Sequence, residues 1–284
     1  VSRYGEPGDP HRIRKFNSEL VHLDPSELGQ ANVLELTMHV GSEQAPLPEL
    51  AITDAHAGSS YVYWRNYFMT QLVAGGFLVG ILLFVYFILM SIVGKGKDKR
   101  FLWFAGICGS IALAYVNMVF NHLAVSDTVL TKLSRIGFFV CAVMLSFYVM
   151  ETAQLLHKKR WLKQIEIAAM TLASIWVIVQ KDFVSTNAAF HLAMQFVITP
   201  NLVLSALVLV IAIVRQGVKR YAILLMGMVG VIFTSFFDLI HESASLIPYA
   251  WLLVYGYMWI VVCVFLELAI KQERLSRQAI LQAK

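Results

Sequence analysis

Three side chains near residue 240 have types and spacing that can do chemistry. Asp238, His241 and Glu242 stand at i, i+3 and i+4, which puts them on one face of a helix. Neutral imidazole with carboxylate is a usable donor set for zinc or another divalent ion. The same set can sense protons, because histidine titrates near neutrality. Five more polar side chains sit at comparable places in other apolar runs: Asn117, Asn121, His122, His191 and Gln195. Ionisable and polar groups at membrane depth are costly, so each is a candidate site residue. A metal site would draw on His122, His191, Asp238 and His241; a ligand or proton site would draw on the whole set. The leading expectation is a third use, an interhelical hydrogen-bond network, since polar groups near helix ends are cheap to solvate. The expected cofactor set is therefore none, with zinc as the alternative.

The elements that must position these groups are seven apolar runs of about membrane-spanning length, near 68–93, 101–122, 133–156, 162–180, 188–214, 221–241 and 248–270. The first, third and fifth connecting loops are basic: Gly94–Arg100, His157–Trp161 and Arg215–Arg220. The second, fourth and sixth carry almost no net charge. Basic residues gather on the cytoplasmic side, so this alternation places the N-terminus outside and the C-terminus in the cytoplasm. On that topology the candidate polar residues all fall near the outer face. Pro200-Asn201 lies midway along the fifth run, where a proline releases a carbonyl and kinks the helix, an expected hinge. Glu151 and Glu267 lie close to cytoplasmic ends and are expected to snorkel toward the basic loops. Tyr61, Tyr63, Trp64, Tyr67, Trp103, Trp161, Tyr249 and Trp251 cluster at run ends, as interfacial aromatic belts do.

Composition agrees. Of 284 residues, 58% are hydrophobic and 14% charged, with net charge +5 and mean hydropathy +0.66. A soluble domain carries roughly a quarter charged residues, so disorder, a coiled-coil rod and a nucleic-acid-binding domain are excluded, and the balance weighs against an ordinary soluble enzyme. Cys108, Cys141 and Cys263 fall inside apolar runs without metal or redox spacing and read as small buried hydrophobes. The chain starts at Val1 with no signal peptide, so its N-terminus is expected to be processed or trimmed.

Residues 1–60 differ from the rest. Pro7, Pro10, Pro25, Pro46 and Pro48 forbid a long helix, and Val33–Val40 alternates apolar and polar as a half-buried strand does. Two or three strands make no stable sheet alone, so this segment is expected to be the end of an extracytoplasmic β domain. The other end of the chain reads as helix beyond the seventh run. Glu267 to Leu281 contains no Gly or Pro and pairs Glu267 with Lys271 and Glu273 with Arg277 at i,i+4. Glu267, Leu268, Lys271 and Leu275 mark it as an output helix into the cytoplasm, the alternative being an amphipathic tail on the inner leaflet.

The expected fold class is thus an all-α seven-transmembrane helix bundle, with a β-rich segment at 1–60, spans over 61–270 and an exit helix at 271–284. No nucleophile elbow, phosphate loop or zinc-protease motif is present, and the seventh run has no lysine at mid-membrane for a Schiff base. The Leu28–Leu36 segment, the passage Tyr63-Trp64-Arg65-Asn66-Tyr67 into the glycine-bearing first span and the Glu267–Arg277 helix together resemble the bacterial seven-transmembrane receptors with diverse intracellular signalling modules. That resemblance implies a jelly-roll sensor outside, for a carbohydrate or other small molecule. It also implies an inner-membrane location, a homodimer joined through the C-terminal helix, and output to a kinase, cyclase or phosphatase module. The outer segment is short for a whole jelly roll, and no output domain follows Lys284. The chain is therefore expected to be a fragment or to signal through a partner. The rival expectations are an intramembrane metal-dependent hydrolase and an accessory structural subunit.

Overall fold

Inside a bilayer no water is available to the backbone, so a spanning segment must satisfy its N–H and C=O groups internally. Every described run does this as helix. The computed structural model describes residues 54–96, 98–120, 127–155, 159–243 and 252–282. The expected strand at 33–40 and most of the β-rich segment lie outside these residues, but 55–60, at its end, is helical. The elements are α1 (Ala55–Asn66), a π turn (Tyr67–Gln71), α2 (Leu72–Val93), α3 (Lys99–Val119), α4 (Asp127–Ala153), α5 (Arg160–Val179), α6 (Phe183–Phe196), α7 (Ile198–Gln216), α8 (Val218–Ser243) and α9 (Leu252–Gln282). Among the described residues, seven stretches are long and apolar enough to cross a membrane, from His56–Val93 through Leu252–Glu273. The chain has the make-up of a multi-pass membrane protein.

Local chemistry sets the helix ends. Asp54, Asp98 and Asp182 are N-caps whose carboxylates accept backbone N–H bonds from Ala57, Arg100 and Ser185. Gly217, at φ +91°, ends α7 in a conformation that side chains resist. The fifth stretch is interrupted about one turn before its proline. Pro200 has no N–H for the Phe196 carbonyl and its ring crowds that group, so regular helix stops at Phe196 and restarts at Ile198. Asn201 bridges the break, its side-chain amide donating to the Val197 carbonyl at 2.7 Å.

The core forms around α4, the most buried of the seven stretches. It packs against α3, α5, α6 and α7, while α8 and α9 pair with each other and close between α7 and α3. The α3–α4 contact is close because Gly137 has no side chain. A Cβ there would stand 2.5 Å from the Ala114 nitrogen and 2.8 Å from the Ser110 carbonyl oxygen. The hydroxyl of Ser134 donates to the Ala114 carbonyl across the same seam. In contrast α2, packed on α3, turns Leu78, Leu82, Leu89 and Val93 outward, as a lipid-facing helix does. The bundle has two ends: the α1 end, with Val119, Asp127 and Leu252, and the exit end, with Val93, Lys99, Ala153 and Gln216.

Candidate functional site

At the α1 end, the residues singled out by sequence go to separate places. Asn117 on α3 donates to the Thr131 hydroxyl on α4 at 3.3 Å. His191 is half-buried on α6, its ring 5.6 Å from that of Phe190, and Gln195, one turn on, is exposed. Asp238 is 8% exposed, and its two carboxylate oxygens accept the backbone N–H groups of Leu252 and Leu253 at 2.9 and 2.7 Å. Those are donors in the first turn of α9, which no carbonyl of that helix can satisfy. Asp238 is thus an N-cap supplied from the preceding helix. The side chains of His241 and Glu242, on the last turn of α8, and the whole of Asn121 and His122 lie outside the described residues. Among the described residues, no three His, Cys, Asp or Glu groups come together as metal ligands. α6 packs on α4, α5 and α7 whereas α8 packs on α7 and α9, which sets His191 and Asp238 in different interfaces.

Two cations that sequence patterning does not single out complete this end. Lys132 donates to the Ile178 carbonyl at 2.8 Å and to that of Gln180, placing positive charge at the C-terminus of α5. Arg135 donates to the Asn187 side chain at 2.9 Å and lies 4.4 Å above the Phe190 ring. Arg135 falls within the third apolar run, so the rule that picks polar groups at depth applies to it directly. The same rule applies to Glu166 in the fourth run. It is 6% exposed, accepts from the Ser146 hydroxyl at 3.4 Å, and has one carboxylate oxygen without a hydrogen-bond partner.

At the exit end, a polar cluster ties α9 to the centre of the bundle. The hydroxyl of buried Tyr148 on α4 donates to the Glu267 carboxylate. Arg100, paired with the Asp98 cap through both Nε at 2.7 Å and a terminal nitrogen, stands within electrostatic reach of Glu267. The expected snorkelling of Glu267 is not what the packing gives. Its carboxylate turns to a hydroxyl inside the bundle. Glu151 meets Lys163 of α5 at 3.7 Å, and the Lys163 ammonium lies 5.4 Å from the centres of the Trp103 and Phe147 rings. Gln216 donates to the Ala153 carbonyl at 3.3 Å and accepts from Tyr221 at 2.8 Å, joining the α7–α8 corner to the end of α4. Of the expected output-helix residues, Leu268 is buried and Lys271 half-buried, and Leu275 stands on the part of α9 that continues to Gln282.

Three neighbouring helices hold α9 along its length. Near its start it is held by Asp238 of α8 and by the Tyr115 hydroxyl, which donates to the Val254 carbonyl. Two turns in, the Trp259 indole donates to the Met226 carbonyl at 3.1 Å, and at mid-helix Tyr148 holds Glu267. Such contacts fix the position and rotation of a rod; they assemble no nucleophile and base. Comparison with known proteins returned no matching family model, no matching curated protein and no matching solved structure.

Proposed function

We propose that this chain is the seven-span relay of a bacterial inner-membrane receptor, with α9 as the moving part. The observation that carries the reading is the holding of α9. It is one uninterrupted helix of 31 residues, gripped near its start by α8 and α3 and further on by α4. Its length is about 46 Å against a hydrocarbon layer of about 30 Å. The part beyond Glu273 reaches about 14 Å further. A rigid rod held at two levels by different neighbours transmits a change at one level to the other, since loss of one grip alters the strain on the second.

The basic odd-numbered loops support an orientation with the α1 end outside and the exit end in the cytoplasm. A small molecule or carbohydrate bound by the segment preceding α1 would be the signal. The output would be a kinase, cyclase or phosphatase module, joined to or paired with the exit helix, with two copies meeting along that helix.

The test uses the full chain in nanodiscs with spin labels at Lys159 and Gln272, both exposed. The native cysteines are buried, so a thiol label goes to the introduced sites. Asp238→Asn stands in for an outer signal by removing the charge and one acceptor from the cap. The expected result is a new distance population at this distant pair. An unchanged distribution, in protein that remains folded by circular dichroism, overturns the relay.

A further inference from the structure

The first span is not one regular helix. Between α1 and α2 the Leu72 N–H reaches back five residues, to the Tyr67 carbonyl, over the π turn Tyr67–Gln71. A π turn holds one residue more than the α turns beside it, so one of its carbonyls has no place in the i→i−4 ladder. The carbonyl next to Tyr67 is that of Phe68, and it receives the phenol hydroxyl of Tyr255, on the second turn of α9. Phe68 and Tyr255 also meet edge to face at 6.3 Å. Thr70 supports the widened turn, its hydroxyl donating to the Asn66 carbonyl at 2.6 Å. On the α1 side, Trp64 stacks on Phe68 at 6.1 Å and Tyr63 on Tyr67 at 6.5 Å, so turning α1 drags the aromatic group that contacts α9.

We propose that the Tyr67–Gln71 π turn is a two-state joint, held open by Tyr255, through which α1 acts on α9. Its use as a signal input rests on the relay reading above; the joint itself does not. Closing the turn to α geometry returns the Phe68 carbonyl to a helical N–H and releases the Tyr255 hydroxyl, one hydrogen bond exchanged for another. Closure rotates α1 by about 100° relative to α2 and shifts it by about 1.5 Å along the axis. A surface position on α1 then moves by about 8 Å, the chord of that rotation at the helix surface. α1 is the element that joins the preceding segment of the chain to the bundle, so any pull or twist from there arrives at this joint first.

The experiment again uses the full chain in nanodiscs, with one label pair at Ser60 and Lys181, exposed on α1 and on the α5–α6 connection, and the Lys159–Gln272 pair as the distant readout. Tyr255→Phe keeps the ring and removes the hydroxyl; it should split the Ser60–Lys181 distance into two populations several ångströms apart. Deleting Thr70 removes the extra residue and leaves α1 and α2 in their present phase. In the Tyr255→Phe background this deletion should restore a single distance, close to that of the parent. A single, unshifted distance in Tyr255→Phe overturns the joint. So does a second population that persists after the deletion, since general loosening, and not closure of the turn, would then be its source. If the first pair behaves as expected and the distant pair does not move, the joint stands and the relay reading fails.

Discussion

Replacing Asp238 with alanine removes both acceptors from the first turn of α9 and leaves the Leu252 and Leu253 N–H groups without their partners. In water-soluble proteins a hydrogen bond to a charged group contributes about 1.5–3 kcal/mol, and loss of an N-cap costs up to about 2 kcal/mol. Polar bonds between membrane helices measure lower, averaging about 0.6 kcal/mol with a maximum near 1.7 kcal/mol. Two bonds at the buried Asp238 therefore predict a loss of about 2 kcal/mol. Asp238→Asn keeps one carbonyl oxygen and should lose about half as much. The assay is reversible unfolding of the purified full chain by titrating sodium dodecyl sulfate into mild detergent, followed by circular dichroism. Arg277→Ala is the reference: it breaks only an i,i+4 pair with Glu273 whose side chains are 76% and 58% exposed, which should cost under about 0.5 kcal/mol. If Asp238→Ala falls within about 0.5 kcal/mol of that reference, roughly one helix ion pair, the carboxylate does not cap α9.

The same titration reads five further substitutions. Gly137→Ala should destabilise by about 1–3 kcal/mol, because the added methyl meets Ala114 and Ser110 backbone atoms that cannot swing aside. Gly75→Ala should be neutral or stabilising by up to about 1 kcal/mol, since nothing lies within 4 Å of its Cβ position; equal effects at the two glycines would refute the close α3–α4 seam. Tyr148→Phe and Glu267→Gln should each weaken the bundle by about 1 kcal/mol, with a coupling of about 0.6–1.7 kcal/mol in a double-mutant cycle. A coupling indistinguishable from zero would remove the α4–α9 grip. Lys132→Met should cost about 0.5–1 kcal/mol through loss of the cation at the α5 C-terminus. The same loss is expected when Gln180 is replaced as well, because the acceptors are backbone carbonyls.

Legibility differs from residue to residue for definite reasons. The seven apolar runs can be read because a bilayer demands about twenty apolar residues from each span, whatever the neighbours are. The break in the fifth stretch is readable in kind, from the missing N–H of Pro200, and off by one turn in place. The effect of a proline falls on the carbonyl four residues before it. The apolar pattern starts the first span near 68, yet helix runs from Ala55, since α1 is too polar to register as an apolar run. Arg135 and Glu166 are open to the same rule as Asp238, but neither stands at helical spacing from a histidine or a second carboxylate, as Asp238 does from His241 and Glu242. No local pattern marks the π turn at Tyr67–Gln71, whose stabilising partner lies on another helix, at Tyr255.

The sequence by itself determined that the apolar runs are helical, how many of them are long enough to cross a membrane, and which residues bring polar groups to that depth, because hydropathy and backbone satisfaction are properties of a segment alone. What those polar groups do was decided only by tertiary structure. Spacing put Asp238 on a helix face shared with His241 and Glu242, as a metal ligand would be, but the packing of α8 against α9 gives both its oxygens to Leu252 and Leu253. Spacing paired Glu267 with Lys271 on the helix surface, but the packing of α4 supplies Tyr148. A hydrogen bond needs a partner about 3 Å away in a fixed direction, and between distant segments that partner is chosen by how the helices pack.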